Sequence, residues 1–321
     1  MEKTVLAIDI GGSKYMVGLV QNGRVLCSVR AQWGELSREG ILESIVASAR
    51  RLLKDNAGIS PEIIGVTIPG LADPRSGIWV EACFSGIGNI PIATELEAAF
   101  SIPAYIDNDG QACALAERLY GGCREVGDFV YLTVSNGCGG AVFVNDMLYY
   151  GCGGNAGEIG HITVVEGGRR CNCGACGCLE MYAAGPAIVK NFVELGGSGY
   201  IEGRPADAQA IASLARLNDP AALKTYELEG RYIGKALAAV CNVLNPKKII
   251  IGGGVSLAFD LFEKAMWDTV NRSIYKNANR TLEIEPTRLG YNGGLIGAAA
   301  VAICGRNSLY NWADTLRRPM E

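Results

Sequence analysis

The chain has 321 residues, which at ~100–200 residues per domain implies about two domains. Acidic residues outnumber basic ones, 33 to 29, and the net charge of −4 lacks the footprint of a general nucleic-acid binder. Apolar residues make up 49% of the chain with no run near the ~18 that cross a bilayer, and the 43 glycines follow no collagen period, so membrane-spanning, disordered and fibrous classes are excluded.

Val5-Leu-Ala-Ile-Asp9 is a short apolar run closed by a carboxylate, unlike an export signal, and a cytoplasmic location is expected. The glycine turn Gly11-Gly12-Ser13-Lys14 follows, then the apolar run Tyr15–Val20. Asn22-Gly23 before Arg24–Val29 is a strong hairpin signal, so the opening reads strand, glycine turn, strand, tight turn, strand. Residues 40–56 place Ile41, Leu42, Ile45, Val46, Leu52 and Leu53 on one helical stripe. Ile63–Ile68 reads as a buried strand stopped by Pro69-Gly70, Glu95–Phe100 as a short helix, and Ala104–Ile106 as a strand ending at Asp107-Asn108-Asp109. A helix over Gln111–Leu119 completes the first part.

The opening plan then recurs. Phe129–Val134 is an apolar run, Ser135–Gly140 a glycine turn, Ala141–Val144 a second run, Asn145-Asp146 a turn and Met147–Tyr150 a third run. Helices are expected over 186–195, 206–216 and 220–245, followed by the buried strand Lys248–Ile251, the glycines Gly252-Gly253-Gly254 and a further helix. No linker marks a boundary. The expected domains are residues 1–107 and 108–304, with a helix over about 305–321 packing back on the first.

Three glycine turns each follow an apolar strand: Asp9–Lys14, Asn136-Gly137-Cys138-Gly139-Gly140 and Gly252–Gly254. Any one is more often an ordinary turn, but three of them around a duplicated unit point to backbone N–H groups gathered on an anion. No Gly-x-Gly-x-x-Gly opens a helix after the first strand, and Gly230–Ala236 lacks both the spacing and the hydroxyl of a P-loop. The only histidine, His161, stands ten residues before Cys171-x-Cys173-x-x-Cys176-x-Cys178, a donor set that suits zinc. Spacing leaves open which cysteine is spare. The eight other cysteines read as small buried hydrophobes. Asp109 begins a helix after a strand, where an isolated carboxylate more often caps than reacts. Glu158 and Glu180 bracket the metal cluster, and carboxylates pinned there suit a polyhydroxylated ligand and the taking of a hydroxyl proton.

The strings Asp9-Ile-Gly-Gly-Ser-Lys14, Asn108-Asp109, Gly157-Glu-Ile-Gly-His161, Cys171–Glu180, Ile250–Gly254 and Gly294-Leu-Ile-Gly-Ala-Ala299 resemble, in order, those of the ROK family (repressor, open reading frame, kinase). The resemblance implies an α/β, two-domain actin-like ATPase fold with an interdomain cleft, and ATP-dependent phosphorylation of a hexose or hexose derivative at the 6-hydroxyl. It implies Asp109 as general base, and Gly70, Asn108, Glu158, His161 and Glu180 as sugar contacts. Asp9, Gly11, Gly12, Ser13 and Lys14 would organise magnesium and the phosphates of ATP. Asn136, Gly137, Gly139 and Gly140 would form a second phosphate loop, with Gly252, Gly253 and Gly254 near the adenosine. Zinc would be held by His161, Cys171, Cys173 and Cys178, leaving Cys176 spare. A homodimer is expected, with neither nucleic acid nor membrane as partner.

The sequence departs from the family twice. Ser135-Asn136 stands where the second phosphate loop usually carries Gly-Thr, and residues 81–89 lack the Pro-Asn-Leu pattern of its glucose kinases, which leaves the sugar open. The family's repressors carry a DNA-binding segment ahead of the first phosphate strand, which here starts at residue 5, so a kinase is expected. The other readings are a sugar-binding sensor without catalysis, or a kinase for an unusual polyol or glycoside.

Overall fold

The computed structural model describes residues 3–34, 36–82 and 86–305. Its contacts divide the chain into two units. The first takes the described residues up to Gly127, Val142–Ala156 and those from Arg288 on; the second takes Asp128–Ala141 and Gly157–Thr287. The helix expected over about 305–321 lies, past Gly305, outside the described residues, as do residues 83–85 of the segment read for the sugar pocket.

The chain opens with the meander β1 (Thr4–Ile10), β2 (Lys14–Gln21) and β3 (Arg24–Gln32). Asn22 and Gly23 turn its second corner with φ of 49° and 72°, the left-handed pair a two-residue hairpin turn needs. Helix α1 (Arg38–Asp55) is capped by Ser37, whose hydroxyl accepts the Gly40 N–H, and buries Ile41, Ile45, Ala49 and Leu52. After β4 (Ile63–Ile68) comes a small antiparallel sheet of β5 (Leu71–Asp73), β6 (Ile78–Glu81) and β7 (Gly88–Ile90), which the sequence reading missed. Then follow α2 (Ile92–Phe100), β8 (Ala104–Asn108) and α3 (Asp109–Leu119).

The repeat supplies β9 (Phe129–Val134), β10 (Cys138–Val144) and β11 (Met147–Leu148). Helices α4 (Glu180–Ala183) and α5 (Gly185–Glu194) lead to the short pair β12 (Tyr200–Ile201) and β13 (Arg204–Pro205), then to α6 (Ala208–Arg216) and the long α7 (Pro220–Leu244). The described chain ends with β14 (Lys248–Gly252), α8 (Phe259–Ser273), β15 (Glu283–Pro286) and α9 (Gly293–Cys304).

The two main sheets share one plan. The first has the order β3-β2-β1-β4-β8 and the second β11-β10-β9-β14-β15. In both, the last strands run parallel, β1 with β4 and β8, and β9 with β14 and β15. Strand β1 is covered on both faces, which explains its unbroken apolar run. Leu6, Ile8 and Ile10 join a core with Ile41 and Ile45 of α1, while Val5 and Ala7 pack with Leu295, Ala298 and Ala302 of α9. Gly65 of β4 lies so close to the Ala298 carbonyl that any side chain there would collide with it, which seats α9 flat on the sheet. No described helix is long and apolar enough to cross a membrane.

Candidate functional site

Each unit gathers its own share of the expected residues. In the first, Asp9 accepts the Thr67 hydroxyl proton at 2.7 Å, and a Cβ on Gly294 of α9 would collide with the Asp9 carboxylate. Burial pushes the Asp9 carboxyl up, against the opposing pull of Thr67 and Lys14. The turn beside it is backed by Trp33, whose indole N–H donates to the Gly11 carbonyl at 2.9 Å and whose ring stacks on Tyr15. Gly11 N–H donates to the Lys14 carbonyl at 2.9 Å, while Ser13 and the Lys14 side chain stand exposed. The Lys14 ammonium lies 3.3 Å from the Tyr291 hydroxyl, and the Arg30 guanidinium sits 4.5 Å over the Tyr291 ring.

The corner between β8 and α3 is held by several bonds. Asn108, not Asp109, is the N-cap of α3: its side-chain oxygen accepts the Gly110 N–H at 2.9 Å and its amide donates to the Gly70 carbonyl at 2.9 Å. Asp109 is the first helical residue, with one carboxylate oxygen 2.8 Å from the Gly110 nitrogen. Behind it, the buried Asp107 accepts the Asn108 N–H at 2.8 Å and the Tyr150 hydroxyl at 2.6 Å.

In the second unit the glycines of Gly157-Glu-Ile-Gly-His161 explain their own spacing. Gly157, with φ of 103°, and Gly160 lie flat on the start of β10, where a Cβ on Gly160 would collide with the Cys138 carbonyl and one on Gly140 would sit 2.7 Å from the Gly157 carbonyl. Gly139 and Gly140 therefore belong to β10 and not to the turn, as read from the sequence; the turn is Ser135–Gly137, closed by Ser135 N–H to the Gly137 carbonyl at 2.8 Å. Glu180 at the start of α4 accepts the Cys138 N–H at 2.9 Å, and a Cβ on Gly137 would come within 2.7 Å of the same carboxylate oxygen. Of the third glycine run, Gly252 and Gly253 are filled against Tyr131 and Val134, and only Gly254 faces open space. Beneath the turn, burial, then Glu229 and Glu180, push the Cys138 thiol well up. Glu229, on α7, is itself fully buried; neither of its oxygens has a hydrogen-bond partner, and burial raises its carboxyl well above the ordinary range.

Four donors converge where a metal is expected. Nδ1 or Nε2 of His161 and the sulfurs of Cys171, Cys173 and Cys178 lie within 4.8 Å of one another, and Cys176 is outside the set. Cys171 Sγ is 3.6 Å from His161 Nδ1, and Cys173 Sγ is 3.6 Å from Cys178 Sγ. A tetrahedral ion with ~2.3 Å bonds to sulfur sets its thiolates roughly 3.8 Å apart, so the donors fit zinc. Burial and the neighbouring thiols push Cys178 up to about 12, which a bound cation would reverse. The other ring nitrogen, Nε2, lies 3.6 Å from the Glu158 carboxylate, the arrangement by which an outer carboxylate orients a ligating imidazole.

Comparison with known proteins decides the family. The family model of the ROK family matches residues 5–304. The chain belongs to the ROK family. Among its ROK relatives, the glucokinase of Thermotoga maritima is 30% identical over 309 residues, covering 92% of this chain and 96% of the glucokinase. The xylose repressor of Bacillus subtilis is 29% identical over 240 residues, 75% of this chain, which spans 60% of the repressor's length. Among solved structures, the ROK family glucokinase from Streptomyces griseus in complex with glucose and AMPPNP superposes with a TM-score of 0.81 at 28% identity, covering 94% of this chain and 99% of that one. The solved ROK kinases also bear out the α/β actin-like ATPase fold.

Several groups at these sites went unread in the ROK sequence. Thr67 closes a buried strand, and only its pairing opposite Asp9 in the β1–β4 register gives it a role. Trp33, Tyr291 and Tyr150 carry no local motif at all. Asp107, adjoining Asn108-Asp109, was signalled only by being a carboxylate at the end of an apolar strand.

Proposed function

We propose that this ROK protein is an ATP-dependent kinase of a hexose or hexose derivative, with Asp109 as the general base. The observation that carries the reading is the division of labour at the β8–α3 corner: Asn108 takes the helix cap, so Asp109 is not the residue that capping requires there. A carboxylate at the first position of a helix, with one oxygen held by the Gly110 N–H, is suited to take a proton from a hydroxyl as that oxygen attacks phosphorus. Asn108 and Gly70, joined by a hydrogen bond, would orient the same sugar.

Glu158, His161 and Glu180 would recognise the remaining hydroxyls. His161 can serve metal and sugar together because its nitrogens are distinct, Nδ1 toward Cys171 and Nε2 toward Glu158. Zinc held by His161, Cys171, Cys173 and Cys178 would fix the fold of the recognition string. Asp9 with Gly11–Lys14 would hold magnesium and the phosphates of ATP, and magnesium when bound neutralises charge on the transferring phosphoryl group. Within the second unit, Asn136 and Gly137 of the turn are the residues left to contact phosphate, since Gly139 and Gly140 lie in β10 and Gly140 is packed against Gly157, and Gly254 is the one of Gly252–Gly254 that leaves room for adenosine. The Streptomyces griseus glucokinase solved with glucose and AMPPNP supports ATP as donor, and the repressor relatives keep a sugar-binding regulator as the second reading.

The test is ADP release from Mg·ATP by the purified protein over glucose, fructose, mannose, allose, their N-acetylamino relatives, a β-glucoside and an inositol. One sugar is expected to give a strong response. Silence across the panel, with sugar binding retained in calorimetry, overturns the kinase in favour of the regulator.

A further inference from the structure

The corner that carries Asp109 is braced by a segment with no evident chemistry of its own. Asp107 is fully buried, and its two oxygens are engaged separately: Oδ1 accepts the Asn108 backbone N–H at 2.8 Å and Oδ2 accepts the Tyr150 hydroxyl at 2.6 Å. The phenol thus holds one carboxyl oxygen while the backbone amide holds the other, which leaves the group little freedom to rotate. Tyr150 is buried too, at the head of the glycine-rich run Gly151-Cys-Gly-Gly154. The same run is tied a second time, where the Gln111 side-chain amide donates to the Gly154 carbonyl at 3.1 Å. One stretch of chain thus grips the residues just before and just after Asp109.

We propose that Tyr150, acting through Asp107, is a positioning residue for Asp109. The phenol fixes the rotation of the Asp107 carboxylate, the carboxylate fixes the Asn108 N–H, and that amide sets the direction in which the Asp109 side chain leaves the first turn of α3. Neither Tyr150 nor Asp107 needs to touch substrate for this. A general base must be held within about 0.5 Å of its productive place, and a 1 Å error costs on the order of 10²-fold in rate. The inference rests on the reading of Asp109 as the base.

The experiment is a double-mutant cycle in the full chain, with Mg·ATP and the sugar that reacts fastest in the panel. Tyr150→Phe is expected to lower kcat about tenfold while KM for both substrates stays within about twofold. In an Asp109→Asn background the same change should alter the residual rate less than about twofold, because the group being positioned is gone. Equal losses in both backgrounds, an unchanged kcat, or a loss confined to KM would each overturn the proposal. Asp107→Asn should reproduce the loss, and Tyr150→Phe should add nothing to it; if Asp107→Asn does not fold, the cycle with Asp109 still decides. Amide exchange separates this proposal from the kinase reading. Faster exchange at Asn108 in Tyr150→Phe supports the brace even if no sugar is turned over, in which case the base assignment falls. Unchanged exchange overturns the brace even in an active enzyme.

Discussion

The two strand–glycine–strand hairpins look alike on paper and differ in what their glycines face. In the first, between β1 and β2, the turn is backed by Trp33 from one side, Gly11 closes on the Lys14 carbonyl, and Ser13 and Lys14 are exposed. In the second, Gly139 and Gly140 are drawn into β10, and Gly140 together with Gly157 and Gly160 removes side chains where two stretches of backbone meet. One set of glycines stays half-buried beside exposed Ser13 and Lys14; in the other, Gly140 closes a core. The first unit accordingly concentrates side chains held by hydrogen bonds, at Asp9 and Asp109, and the second concentrates packing and a metal-ligating cluster, at Gly160 and Cys178.

That contrast can be broken by substitutions that ought to separate activity from stability. Asp109→Asn should lower turnover by a factor on the order of 10²–10⁴ and leave the melting temperature and sugar affinity near wild type. Near-normal turnover would remove Asp109 as the base. Gly160→Ala should do the opposite kind of damage, since its Cβ meets a backbone carbonyl that cannot move aside: a loss of about 3 kcal/mol or more, read as a large fall in melting temperature. Gly139→Ala is its control, with a Cβ at an ordinary 3.5 Å from Thr133 and a melting temperature close to wild type.

Metal analysis sharpens the account of the second unit. Cys178→Ser should lose zinc and weaken sugar binding, and Cys176→Ser should keep both; equal metal content in the two variants refutes the ligand choice. The smallest expected effect concerns Glu229. Its folded carboxyl is raised, so above the ordinary ~4.3 of an unfolded glutamic acid the folded state holds a proton that the unfolded state gives up, and stability falls as pH rises toward the folded value. Glu229→Gln has nothing to titrate. Its stability relative to wild type should therefore be flat below about pH 4 and grow as the pH rises above the ordinary glutamate value, by at most about 1.4 kcal/mol per pH unit, measured by thermal unfolding. A difference that does not change with pH would mean that Glu229 is ionised in the fold.

How much of this was legible follows from how local each feature is. The Asn22-Gly23 corner, the stripe of α1 and the span of α7 from Pro220 are set by residues within a turn or two of each other, and the sequence carried them. The β5–β7 sheet was missed because its strands are only three and four residues long, and its Trp79 is buried in a core shared with Leu6 of β1 and Ile41 of α1, which no local pattern announces. The donors His161, Cys171, Cys173 and Cys178 were recognisable as a metal-ligating type, but choosing among the four cysteines needed the resemblance, since spacing leaves the spare one open. The placing of Gly139 and Gly140 in a turn failed for a related reason: a glycine run signals freedom, and only the opposing Gly157 reveals that the freedom is used to pack. Tyr150 and Asp107 stand 43 residues apart, and no pattern of either sort joins them.

The seating of α9 has a consequence for how the molecule is made. Its residues complete the core around β1 and β4, place Gly294 against Asp9, and are translated after the whole of the second unit. The strands synthesised first must therefore wait on the ribosome with one face uncovered until this late helix emerges. A stop codon between the end of β8 at Asn108 and the start of α9 at Gly293 would strip the Asp9 sheet of that cover while leaving every strand of the sheet intact, so the cover of the first unit comes only with nearly finished synthesis.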